Sequence, residues 1–170
     1  MKCQECGGAF VAKKSTATNP YRFIESGLDH VYLIGATVLH CKQCKEYGVQ
    51  IPKMGPLLNM ITATLLEKAG SLTGKELRYL RKHVGFQAHE FATLLHIDPA
   101  HLSRVETGKT KTLGSTGDTL ARLLIREAWT GGKGKEALLD FARRLGKEKS
   151  GKGKKKPTFK LVNNQWAEAA

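Results

Sequence analysis

The residues of this chain best placed to do chemistry are four cysteines in two CxxC pairs, Cys3 with Cys6 and Cys41 with Cys44, separated by a 34-residue insert. A CxxC turn directs two thiolates at one ion, and two such turns complete the sulfur tetrahedron that zinc takes in structural sites. The expected cofactor is one structural Zn2+. Four thiolates leave no open position at which water or substrate is activated, so Lewis-acid chemistry is not expected. Gly7 and Gly8 release the chain after the first pair. Two other readings compete, a redox dithiol and buried thiols without a metal. A thioredoxin-type dithiol expects one CxxC at a helix N-terminus beside a β-α-β core, and that context is missing. His40 adjoins Cys41 as a possible substitute ligand, although four thiols suffice, and His30 reads as a turn residue.

Catalysis finds no other footing. The chain offers no carboxylate pair and no nucleophile–base arrangement, and His83, His89 and His96 read as helix-end or surface residues. The expectation is that the protein is not an enzyme. The second chemistry the composition offers is recognition of a polyanion. Net charge is +13 in 170 residues, and residues 131–170 carry 11 basic against 4 acidic side chains. A basic surface also serves solubility, so charge alone does not choose the partner. No run of 18 apolar residues and no signal-peptide pattern are present, which makes a cytoplasmic protein without membrane contact the default and disfavours structural disulfides.

Zinc ligands so far apart in sequence need a scaffold between them. Residues 21–24, 31–34 and 36–40 read as short strands, with turns at Asn19-Pro20 and at Gly27-Leu28-Asp29. A sheet this small buries little apolar area, so zinc is expected to supply much of the folding free energy of residues 1–52, on the order of 10 kcal/mol. Residues 53–71 follow as a linker helix of about 13 residues: Leu57, Leu58, Ile61, Leu65 and Leu66 give its apolar face and Gly70 its end.

The main candidate for a polyanion reader is residues 72–146. Leu77, Leu80 and Val84 fall at helical spacing over 74–84, opened by Thr73 and Glu76 as a capping box. Ala88, Phe91, Ala92 and Leu95 give a second apolar face. His96, Ile97 and Asp98 make a tight connection, with Asp98 as cap and Pro99 at the first position of a third helix. Leu102 and Val105 turn that helix inward, His101 and Arg104 point elsewhere, and Gly108 ends it. Such lengths and such a turn read as a helix-turn-helix, whose third helix enters a DNA major groove; a generic helical bundle is the plainer alternative. Residues 117–129, capped by Ser115 or Thr116, should close the bundle through Leu120, Leu123, Leu124 and Ala128, and a further amphipathic helix is expected over 136–145.

These residues resemble the helix-turn-helix domain of phage-repressor type over roughly 72–128. The resemblance implies that Arg81 and Glu106 form a buried ion pair, that Ala92 lets the second helix approach closely, and that Leu102, Ser103 and Arg104 belong to the recognition helix. Two positions depart from the pattern: Ala88 stands where glutamine is common, with Gln87 one residue earlier, and Ala100 replaces a polar base reader. The N-terminal unit resembles the zinc-finger domain fused to helix-turn-helix domains in antitoxin-like bacterial regulators of the MqsA/YgiT type. There Cys3, Cys6, Cys41 and Cys44 match the metal ligands, Gly27-Leu28-Asp29 with Val31-Tyr32-Leu33 the hairpin, and Ile51-Pro52 the exit.

The fold class expected is thus a small zinc-bound β-rich domain, an all-α helix-turn-helix domain and a disordered basic C-terminal tail. In the tail, residues 147–156 hold six lysines and one glutamate, and act either as a phosphate-seeking arm or as a solvated linker. Residues 158–162 alternate like a strand that adds to a sheet edge, its own or a partner's, and Asn163-Asn164 offers a turn before Trp166.

The expected function is sequence-specific binding of double-stranded DNA by a homodimer on an inverted repeat, regulating transcription in a bacterial cytoplasm. Arg104 is the expected base reader because its fork engages guanine O6 and N7 together, with His101 and Lys109 adjacent. Gln87, Ser103, Thr107 and Lys111 are expected on phosphates, and Pro99 and Ala100 complete the DNA-facing set. Two alternatives remain: an antitoxin whose zinc domain blocks a toxin protein while the chain regulates its own operon, and a zinc-containing RNA- or ribosome-binding protein. The narrow major groove of double-stranded RNA argues against the last.

Overall fold

The computed structural model describes residues 2–131 and 158–169. Seven strands and five helices occur among them: β1 (Phe10–Lys14), β2 (Tyr21–Arg22), β3 (Tyr32–Ile34), β4 (Thr37–Cys41), β5 (Tyr47–Gln50), α1 (Met54–Leu66), α2 (Gly74–His83), α3 (Ala88–Leu94), α4 (Pro99–Glu106), α5 (Gly114–Thr130), β6 (Thr158–Val162) and β7 (Gln165–Glu168). The chain divides into two units, Met1–Met60 with Lys156–Ala170, and Ile61–Lys155. An N-terminal β domain followed by a helical helix-turn-helix region is the architecture.

In the first unit β1, β4 and β5 form an antiparallel sheet in that order, and the second sheet runs β2-β3-β6-β7. The segments expected at 31–34, 36–40 and 158–162 appear as β3, β4 and β6. In the 21–24 segment only β2 is extended, because Ile24 enters a 3-10 turn closed by Gly27 at φ 74°. Strands β1 and β5 are not expected from the pattern. Val11 to Lys14 are all exposed, so β1 has no buried face to produce an apolar alternation.

The strand expected over 158–162 is β6, and it does add to a sheet edge of its own chain: it pairs parallel with β3, joining Leu33 to Phe159 in register, and antiparallel with β7, a strand that the pattern does not predict. Asn163 and Asn164, at φ 48° and 60°, supply the two left-handed residues that a tight hairpin turn requires. Phe159 and Trp166 are buried, and Trp166 Nε1 donates to Pro52 O at 2.7 Å. Gly35 admits this hairpin: its φ is 97°, and a Cβ there would come within 3.0 Å of Leu161 Cβ. The lysine run at 147–156 and the helix expected over 136–145 lie outside the described residues.

In the second unit the local signals hold. Thr73 Oγ1 accepts from Glu76 N at 3.3 Å while Glu76 Oε2 accepts from Thr73 N at 2.7 Å, completing the capping box. Asp98 Oδ1 accepts from Ala100 N at 2.7 Å and caps α4 with Pro99 as its first residue. His96 takes φ 52° in the turn between α3 and α4. Phe91, Ala92 and Leu95 are buried as expected, but Ala88 at the start of α3 is exposed.

Helix α5 departs further. It begins at Gly114 with Leu113 as its N-cap residue, and not under a Ser115 or Thr116 cap. Its buried side is Asp118, Ala121, Arg122 and Ile125, whereas Leu120, Leu123 and Leu124 are half-buried and Ala128 is exposed. The reason is polar. The Arg122 guanidinium has 0% exposure and donates to Asp118 Oδ2 at 2.8 Å, Leu66 O at 3.0 Å and Lys68 O at 2.8 Å, which fixes the rotation of α5. A buried guanidinium needs such a full set of acceptors. No helix among the described residues is long and apolar enough to cross a membrane.

Candidate metal centre and nucleic-acid interface

Each CxxC closes on its own backbone. Cys3 N donates to Gly8 O at 2.8 Å and Gly7 N to Cys3 O at 2.9 Å, with Gly7 at φ 72°. The second knuckle repeats this, with Cys41 N on Glu46 O at 2.8 Å and Lys45 at φ 63°. Strand β4 delivers Cys41 to the cluster, and its pairing with β1 sets Cys41 opposite Phe10. Gly8 keeps the space open, because a Cβ there would lie 3.2 Å from Cys41 Sγ.

All four Sγ atoms lie within 4.8 Å of one another. Contacts run between knuckles, Cys3 to Cys44 at 3.5 Å and Cys6 to Cys41 at 3.4 Å. A disulfide needs about 2.05 Å. Zn–S bonds of about 2.3 Å place the sulfurs of a tetrahedron about 3.8 Å apart. The donor set therefore fits a four-coordinate soft cation and not a pair of disulfides. The amides of Cys44 and Gln43 point at Cys41 and lower its pKa to about 6, whereas hydrogen bonds among the neighbouring thiols raise Cys6 and push Cys44 up to about 12, so the sulfurs favour one thiolate shared among thiol donors. His40 is exposed, stands opposite Tyr47 in β5 with ring centroids 6.5 Å apart, and is not a member of the cluster. His30 is an exposed bend residue. Cys3, Cys6, Cys41 and Cys44 would hold the ion, which would supply cross-linking of the two knuckles.

The helical unit builds the second site. Along α4, Leu102, Val105 and Glu106 are buried, while Pro99, Ala100, Ser103 and Arg104 are exposed and His101 is half-buried. Positions 100, 103, 104 and 107 share one helical face. Helix α3 packs against α4, with Gln87 as its exposed N-cap residue. Lys109 and Lys111 are exposed just beyond Gly108, which takes φ 78°.

Hydrogen bonds sort these groups by what they can still offer. Arg104, Lys109 and Lys111 extend cationic heads into solvent. Thr107 Oγ1 donates to Ser103 O at 2.8 Å, so its proton is already engaged. Pro99 has no N–H, and the Ala100 N–H is taken by Asp98, so this turn presents apolar surface of the kind that meets a thymine methyl. Glu90 Oε2 accepts from Gln87 N at 3.0 Å, half of a capping box that ties Gln87 to the start of α3.

Two features hold α4 in place. Arg81 and Glu106 form a buried bidentate pair, Nε to Oε1 at 2.7 Å and Nη2 to Oε2 at 2.9 Å, while Arg81 Nη1 donates to Phe86 O at 2.7 Å. Ala92 of α3 is fully buried, and α3 packs against α4, so a larger side chain there would strain the packing of the helices. The second feature escapes the sequence reading: Asp118 and Arg122 anchor the entry to α2, with Leu72 N donating to Asp118 Oδ1 at 2.7 Å. Their spacing of four along a helix was the only signal, and such a pair reads as a surface ion pair.

A family model described as Helix-turn-helix matches residues 77–125, spanning α3, α4 and most of α2 and α5. Neither curated proteins nor solved structures supply a match to the chain. The protein therefore joins a helix-turn-helix domain, a non-catalytic regulatory fold, to a four-cysteine cluster able to chelate a metal.

Proposed function

We propose that this protein is a sequence-specific, double-stranded DNA-binding transcriptional regulator carrying one structural zinc ion, of the antitoxin-like MqsA/YgiT type and acting in the cytoplasm. The observation that carries the reading is the exposed face of α4, with Ser103 and Arg104 outward while Glu106 of the same helix is clamped by Arg81. A rigid helix with an exposed arginine fork is suited to guanine in a major groove. Arg104 reads bases, with His101 and Lys109 adjacent and Ala100 against a methyl group. Gln87, Ser103 and Lys111 take phosphates, and the engaged hydroxyl of Thr107 makes it the weakest of that set. One such module reads only a few base pairs, so two copies bind an inverted repeat with recognition helices about 34 Å apart. The test is selection of duplexes from a random pool by the full chain, with light scattering of the complex. An enriched inverted repeat bound by two copies is the expected result. Absence of any enriched motif ends the reading.

A second activity has one observation in its favour. Val11, His40 and Tyr47 stand in one row across the three-stranded sheet of the zinc unit, and Val11 and Tyr47 are exposed large side chains. Such a row suits a protein partner, which for a regulator of this type is a toxin. Replacing Val11 and Tyr47 with aspartate should abolish co-purification of a defined partner and leave the duplex selection unchanged.

A further inference from the structure

Gly74 opens α2 and is buried. Its φ is not in the left-handed region, so conformation does not demand glycine there. Space does. A Cβ at this position would lie 1.8 Å from Val105 O, 2.7 Å from Val105 C and 3.1 Å from Glu106 Cα. Backbone of the first turn of α2 thus rests directly on backbone of the last turn of α4. The carbonyl that a side chain would strike is already in use, because Val105 O accepts from Gly108 N at 3.0 Å in closing the helix. Displacing it moves the exit of α4 and, with it, Lys109 and Lys111.

The seat on the α2 side is fixed. Leu72 N donates to Asp118, whose other oxygen holds Arg122, and Arg122 in turn holds the carbonyls that end α1. Thr73 N is held by Glu76, and Lys68 Nζ reaches the same carboxylate at 2.8 Å. The start of α2 cannot easily retreat, so α4 has to yield to any bulk added at Gly74.

We infer that Gly74 is a positioning residue for DNA reading: its lack of a side chain, on a seat fixed by Asp118 and Arg122, sets the height of the recognition helix relative to its phosphate-contacting exit. The inference rests on the proposed DNA-binding function and adds that specificity depends on a contact made by neither base-reading nor phosphate-binding groups. Base contacts need the helix in one register in the groove, whereas non-specific binding needs only charge near the backbone. A shifted α4 should therefore lose specific affinity and keep non-specific affinity.

The test uses the full-length chain, the duplex that the wild type selects and a scrambled duplex of equal length. Gly74→Ala should lower the ratio of specific to scrambled affinity by at least about tenfold, the size of one mismatched base pair, with scrambled binding nearly unchanged. Ile125→Ala, a core truncation in α5, serves as the control: it should lower the melting temperature and leave the ratio intact, because it adds nothing between α2 and α4. Should Gly74→Ala fail to fold, Arg122→Lys loosens the same seat without added bulk and should lower the ratio by about threefold or more, a smaller effect than a whole mismatched base pair. An unchanged ratio in a folded Gly74→Ala, or in Arg122→Lys when that variant stands in, overturns the inference while leaving the DNA-binding function standing. A wild type that selects no duplex overturns both.

Discussion

Replacing Arg81 with methionine is the most informative perturbation of the helical unit, because it separates the cost of an orphaned buried charge from the worth of the ion pair itself. Arg81 and Glu106 are 5% and 8% exposed, so the carboxylate left behind cannot rehydrate without moving α4. Removing one partner of a buried pair costs about 3–5 kcal/mol. The Phe86 carbonyl loses its donor as well, which adds about 1 kcal/mol. Against a domain stability of about 5–15 kcal/mol, Arg81→Met should leave the unit marginal, with its melting temperature lower by at least about 12 °C. The double variant Arg81→Met, Glu106→Leu removes both charges and should recover most of that stability, since well-packed apolar replacements of buried pairs are often neutral. Urea unfolding followed by far-UV circular dichroism measures both. Equal destabilisation of the single and double variants would refute the account, as would a change below about 1 kcal/mol in the single variant, the size of an exposed pair.

Four further outcomes follow from the sequence and the structure together. Ending the chain at residue 157 removes the β6–β7 hairpin, exposes Leu33 and deletes Phe159 and Trp166, so the zinc unit should melt earlier and yield a bound metal faster to a coloured chelator; an unchanged release rate would count against its docking. Replacing the six lysines of 147–156 with serine, while keeping the hairpin, should make the salt dependence of duplex binding shallower by about 0.9 in log–log slope for each phosphate no longer neutralised, and preserve site ranking. An unchanged slope would leave that run as a solvated linker. Chelating the metal proposed for the four-cysteine cluster should unfold residues 2–50 and spare the helical signal of α2 to α5, whose buried residues include no cluster cysteine; loss of both together would contradict this. Arg104→Ala should cost about 1–3 kcal/mol and relax preference at one base position, read by repeating the duplex selection with the variant.

What the sequence alone determined is what short-range chemistry determines. Each CxxC builds its knuckle from neighbouring amides, Thr73 with Glu76 and Asp98 with Pro99 set helix starts within one turn, and Leu77, Leu80, Phe91, Leu102 and Val105 mark inward faces by spacing. Those readings needed no partner from elsewhere in the chain. The tertiary structure decided the rest, in each case because the deciding contact is distant. Strands β1 and β5 have little apolar pattern and exist through pairing with β4. The strand at 158–162 was legible by its alternation, but its partner β3 lies more than a hundred residues away, so the sequence left open which sheet edge it joins. Leu120 and Leu124 look like the core of α5, yet the helix turns Asp118 and Arg122 inward, since only there do the carbonyls closing α1 and the amide of Leu72 await them. Gly74 reads as an ordinary glycine until Val105 is seen against it. Local spacing reports which face of an element is apolar; it does not report what another element brings to that face.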